Sequence, residues 1–95
     1  MTDIFDNDGA KLLIRALLSL ENEEECRAFL EDVLTTKEIL DLEQRMSVVK
    51  MLSEQTVYNK IAEETGASTA TISRVNRSYL YGKGGYQTVL KRIVK

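Results

Sequence analysis

The stretch "IAEETGASTATISRVNR", Ile61 to Arg77, decides the fold. Its first half has the composition of an amphipathic helix, Gly66 interrupts it, and its second half is nearly empty of large side chains. Gly66 suits the end of a helix because glycine takes positive φ at no steric cost, and Ser68 is placed to cap a following helix from Thr69. The pattern therefore predicts a helix, a tight turn and a second helix. Ile61 and Ala62 are expected to face inward from the first helix, with Ala62 small enough to let the second approach. Ala67, Ile72 and Val75 are expected to lock the second onto the body. Ser68, Thr69, Ala70, Ser73, Arg74 and Arg77 are left outward, a slim face of hydroxyls, methyls and guanidiniums. Such a face can enter a major groove without clashing, bond phosphates or base edges, and meet the thymine methyl. An ordinary helical hairpin with a polar outer face would share the glycine and the buried isoleucines.

Working outward, the 95 residues contain no proline, and no glycine occurs between Ala10 and Thr65, so helices there break only where capping residues invite it. "KLLIRALLSL", Lys11–Leu20, is apolar over a wider arc than one partner can cover and is expected to be buried on several sides. "NEEECRAFLEDVL" opens with Asn22 as a cap and three glutamates where the helix dipole favours them; Cys26, Phe29, Leu30, Val33 and Leu34 then make one face, with Cys26 a small core residue. "TTKE", Thr35–Glu38, matches the capping-box pattern and starts a third helix carrying Ile39, Leu42, Met46, Val49 and Leu52 along one side. Thr56 is expected to cap "VYNKIAEET". A last helix is expected over about Tyr86–Val94, after a "YGKGG" connector. The expected architecture is all-α, six helices, in one domain spanning 1–95.

Composition narrows the function classes. Residues 1 to 54 carry a net charge of −7 and residues 55 to 95 a net charge of +5, which suits either a chain that meets a polyanion with one end or chance patterning of solvated charge. Lys60, Arg74, Arg77, Lys83, Lys91 and Arg92 offer phosphate contacts near the motif. There is no histidine and a single cysteine, so no imidazole or thiolate cluster for zinc is available, no internal disulfide can form, and no cofactor is expected. Enzymatic chemistry lacks a candidate set, since no paired carboxylates fall in a recognisable site and Glu23–Glu25 are explained by a helix start. No apolar run reaches the ~18 residues of a membrane span, and "MTDIFDNDGA" lacks the order of a signal peptide, so a cytoplasmic location is expected. A short chain with this much apolar surface is expected to associate.

From Leu34 to about Leu80, through "LTTKE", "EQRMSVVKML" and "IAEETGASTATISRVNRSYL", the chain resembles the tryptophan repressor family, in particular its YerC/YecD-type members. The resemblance implies a six-helix intertwined homodimer with a helix-turn-helix, acting on double-stranded DNA as a transcriptional regulator and repressor. Base-facing positions of the family match Thr69, Ala70 and Ser73, and a neighbouring basic position is Asn59 here; with Lys60, Ser68 and Arg77 these form the implied DNA-binding set. The family's amino-acid corepressor is sandwiched by two arginines, which match Arg45 and Arg74. Thr71 and Ser78 match polar contacts, and Leu34 and Thr35 match pocket residues from the other subunit. Val75 stands where the repressor has glycine beside the ring, so a branched side chain takes space from an indole and the effector's identity stays open between small aromatic and anionic molecules. "YGKGGYQTVLKRIVK" also departs from the family, and is expected either to contact DNA or to repack the pocket. The alternative outside this class is a helical adaptor whose basic end meets an acidic protein, with no operator.

Overall fold

The computed structural model describes residues 3–94; Met1, Thr2 and Lys95 of the expected 1–95 domain lie outside the described residues. Six α-helices follow one another, α1 (Asp8–Ser19), α2 (Glu23–Val33), α3 (Thr36–Ser53), α4 (Tyr58–Thr65), α5 (Thr69–Tyr81) and α6 (Gly85–Ile93), with no strand among the described residues. The chain divides into two compact units, Met1–Thr36 and Lys37–Lys95.

In the first unit, both helices start at asparagine caps. Asn22 is extended and its side chain accepts from the Glu25 amide at 2.9 Å, as expected, while the Glu25 carboxylate accepts from the Glu21 amide at 3.0 Å. α1 begins three residues before Lys11, because Asn7 is also extended and accepts from the Ala10 amide at 2.8 Å; Asp8 then sits in the first turn, where the dipole favours it. The expected burial of this region is not met within the chain. No residue of α1 or α2 is buried, and Leu12 and Leu18 are 61% and 81% exposed. Cys26, a free thiol, is only half-buried, beside a similarly half-buried Phe29, and Val33 is exposed. Two short amphipathic helices have no third element in their unit against which to close a core.

The second unit holds the core. Val48, Val49, Ile61 and Ile72 have no exposed surface, and Ala67, Val75 and Leu90 are nearly as enclosed. Each large side chain so buried contributes about 1.5–3 kcal/mol of transfer free energy. Of the row expected along one side of α3, Val49 is fully buried, Ile39 and Leu52 are half-buried, and Leu42 and Met46 are exposed, while Val48, outside the row, is enclosed. Adjacent helical residues point about 100° apart, so burial of both valines means that α3 is covered over a wide arc near its C-terminal end, which a single stripe of spacing cannot show.

The cap expected at Thr56 is corrected. α4 is preceded by Val57, extended and without a side-chain cap bond. The amide of Thr56 is committed to the previous helix, donating to Met51 O at 3.0 Å while Gln55 N donates to Leu52 O at 3.0 Å. These are the paired bonds of a Schellman ending, with Gln55 at φ 61 in the left-handed position usually given to glycine. Gly82, at the end of α5, is required by close approach, since a Cβ there would collide with the backbone carbonyl of Ser78. The connector into α6 is thus a specific turn, tied further by the Gln87 side-chain amide donating to Tyr79 O.

Left-handed backbone at a non-glycine residue costs roughly 1–2 kcal/mol, partly offset by the larger unfolded-state entropy of glycine. Gln55→Gly is therefore expected to stabilise the protein by about 0.5–1 kcal/mol. Chemical denaturation checks this, and a lower midpoint in the variant would contradict it.

Candidate nucleic-acid interface and effector cavity

The turn between α4 and α5 is built from backbone geometry and one hydroxyl. Gly66 adopts φ 72, ψ 4, and its amide donates to Ala62 O at 2.9 Å. Thr65 Oγ1 donates to Ile61 O at 2.7 Å and accepts from the Ala67 amide at 3.1 Å, spanning the bend. A Cβ on Gly66 would meet nothing within 4 Å, so conformation, not space, requires glycine there. Ser68 caps α5, its hydroxyl accepting from the Thr71 amide at 3.1 Å and donating to Thr71 Oγ1 at 3.0 Å. The helix beyond it is pinned by Ile72 and Val75 on its inner side.

This leaves the expected outward row exposed: Ser68, Thr69, Ala70, Ser73, Arg74 and Arg77 all face solvent. Ala70, Ser73, Arg74 and Arg77 line a shallow depression of about 220 Å³. On α4, Asn59 and Lys60 are also exposed, with Lys60 paired to Glu64 at 3.3 Å. Lys83, Lys91 and Arg92 are exposed as well. No ion pair among the described residues engages Arg45, Arg74 or Arg77, so their guanidiniums are available to external anions.

Behind α5 lies a larger cavity of about 390 Å³. α5 contributes Thr71, Arg74, Val75 and Ser78 to its wall, and α3 contributes Arg45 with Asp41 and Gln44. Tyr86 of α6 completes it. The residues Arg45, Thr71, Arg74, Val75 and Ser78 singled out from sequence are thus brought together. Leu34 and Thr35, expected from a second subunit, belong to the first unit, Leu34 half-buried at the end of α2 and Thr35 just before α3. Asp41, Gln44 and Tyr86 were missed. Asp41 precedes Arg45 by one helical turn and was legible from that spacing; Tyr86 carries no local signal, because only the return of α6 brings it in. Gln44 has a second job, donating from its side-chain amide to Thr65 O at 3.2 Å and so tying the turn to α3. Arg74 lines both the cavity and the outer depression. Among the described residues, no cluster of three or more His, Cys, Asp or Glu could hold a metal, and no helix is long and apolar enough to cross a membrane.

The model of the Trp repressor protein family matches residues 8–94. The chain belongs to this family. It is 49% identical over 81 residues to the uncharacterized protein YerC of Bacillus subtilis (strain 168), covering 85% of this chain and 78% of that protein. Its fold matches the crystal structure of a TrpR-like protein from Eubacterium eligens ATCC 27750 with a TM-score of 0.90 and 52% identity, over 94% of this chain and 92% of the other. A proposed Trp repressor from Staphylococcus aureus matches with a TM-score of 0.89 and 41% identity, over 97% and 95% of the two chains. The all-α architecture is therefore that of the Trp repressor-like fold, and the family is one of DNA-binding regulators, not enzymes.

Because Ser68 both caps α5 and holds Thr71 Oγ1, Ser68→Ala is expected to cost about 1 kcal/mol of stability. Thermal or urea unfolding measures this, and an unchanged midpoint would show that the cap carries no weight.

Proposed function

We propose that this Trp repressor family member is a homodimeric, sequence-specific DNA-binding repressor of the cytoplasm. In this reading α5 enters the major groove from Thr69, and a small effector held between Arg45 and Arg74 gates binding. The observation that carries it is the two-sidedness of α5. Its Ile72 and Val75 are buried, while Thr69, Ala70, Ser73, Arg74 and Arg77 are exposed along its first part, ahead of exposed Leu80 and Tyr81 at its end. Short side chains let the helix backbone approach base edges, Thr69 and Ser73 can accept or donate there, and Arg77 supplies a phosphate contact. Asn59, Lys60 and the cap at Ser68 flank this face from α4 and the turn.

Dimerisation is supported by the first unit. The exposed leucines of α1, Leu12, Leu13, Leu17 and Leu18, form an apolar surface that its own unit does not cover, and a second copy covers it at the same place by symmetry. Two copies of α5 would then read half-sites about one DNA turn apart, ~34 Å. Leu34 and Thr35 would reach the effector cavity from the partner. Gating needs a ligand that prefers the DNA-competent arrangement, since equal affinity for both states shifts nothing.

Recovery of genomic fragments on the purified protein is expected to return a palindrome, and retention of DNA without any sequence preference would favour an adaptor instead. On the recovered site, Arg77→Ala is expected to lower the salt slope of binding by about one for each phosphate that the subunit no longer neutralises, while Thr69→Ala lowers specific affinity more than affinity for random DNA. Equal losses on both DNAs for Thr69→Ala would remove that residue from base reading. Leu18→Glu is expected to shift the protein toward monomer in sedimentation equilibrium; an unaltered dimer would place the interface elsewhere.

A further inference from the structure

The helix proposed to read DNA is held near both ends by glutamines from neighbouring helices. Every α-helix leaves its last four carbonyls without an intrahelical donor. At the head of α5, the side-chain amide of Gln44 on α3 donates at 3.2 Å to Thr65 O, the last carbonyl of α4 and the entry to the bend. At the tail, the side-chain amide of Gln87 on α6 donates to Tyr79 O, in the last turn of α5. Both glutamines are half-buried, and all four residues belong to the second unit. The ion pairs Lys37–Asp41, Lys50–Glu54 and Lys60–Glu64, by contrast, each run along a single helix and fix none against another.

These two bonds supply what the core does not. Burial of Ile61, Ile72 and Val75 turns the inner side of α5 inward, but apolar attraction is non-directional and follows the area removed from water rather than the placement of a helix along its axis. A hydrogen bond to a carbonyl is directional and confined to a narrow range of distance. Thr69, Ala70 and Ser73, proposed to meet base edges, lie between the two anchored carbonyls. Discrimination between bases requires such side chains to be held within about 0.5 Å of the productive geometry by groups behind them. We infer that Gln44 and Gln87 are positioning residues for DNA recognition, which fix the presentation of α5 and so govern sequence discrimination through its backbone rather than by touching the nucleic acid. The inference rests on α5 being the recognition helix of the regulator proposed above.

Gln44→Met and Gln87→Met in the full chain test it, since methionine keeps the unbranched length and helix propensity of glutamine while removing the donor. On the genomic site recovered with the unsubstituted protein, each substitution is expected to weaken binding about fivefold, the equivalent of one hydrogen bond. Binding to random DNA is expected to change by less than about twofold, and the salt slope to stay the same, because no charge is altered. Loss of stability alone would not move the ratio of specific to random binding at a temperature where circular dichroism shows the variants folded. Gln44→Asn and Gln87→Asn, which withdraw the same amide by one methylene, stand in for a methionine variant that does not fold, with the same loss expected. Unchanged affinity for the recovered site after substitution of either glutamine, or equal losses on specific and random DNA, overturns the inference and leaves the regulator standing. An unsubstituted protein without any sequence preference overturns the regulator, and the inference with it.

Discussion

The second unit depends on one packing event, the closure of Ile61 and Ile72 onto Val48 and Val49. All four side chains are removed from water completely. Because they come from α3, α4 and α5, their burial orients α5 about its own axis. Once Ile72 and Val75 point inward, helical periodicity obliges Thr69, Ala70, Ser73 and Arg77 to point outward. The exposed hydroxyl face is thus a consequence of the core, which holds the inner side of α5.

The turn transmits the same constraint to the cavity. Gly66 and the Thr65 hydroxyl close the bend, and Gln44 ties that bend to α3 from a position that also lines the cavity. Ser68 joins the cap of α5 to Thr71 on the cavity wall. Arg74 belongs at once to the cavity and to the outer depression. A molecule bound in the cavity would therefore touch the side chains that set the start of α5, and any preference it had for one arrangement would be felt on the outer face by ordinary linkage. No longer chain of intermediates is needed.

The first unit answers a different requirement. Its helices are well capped and amphipathic, yet they leave no described residue fully buried, since two short helices cannot enclose an apolar face. The charge division along the chain follows the same plan. Acidic residues crowd the starts of α1 and α2, where helix dipoles accommodate them, and the basic residues accumulate from α4 onward.

Where the governing forces act within a turn or two of helix, the amino-acid sequence alone determined most of the outcome, the Schellman ending of α3 at Gln55 and Thr56 being the exception. Asn22 and Ser68 as caps, Gly66 at the bend, the inward set Ile61, Ala67, Ile72 and Val75, and the outward row of α5 all follow from local hydrogen bonding and from 3.6-residue periodicity. The family was legible for the same reason, since its motif is a contiguous run. The tertiary structure decided what depends on elements distant in the chain. It enclosed Val48 as well as Val49 and brought Tyr86 to a wall with Asp41 and Gln44. It also left the leucines of α1 without a cover from their own unit. Burial and cavities are made by surfaces meeting, and which surfaces meet is a property of three-dimensional closure that no window of residues contains.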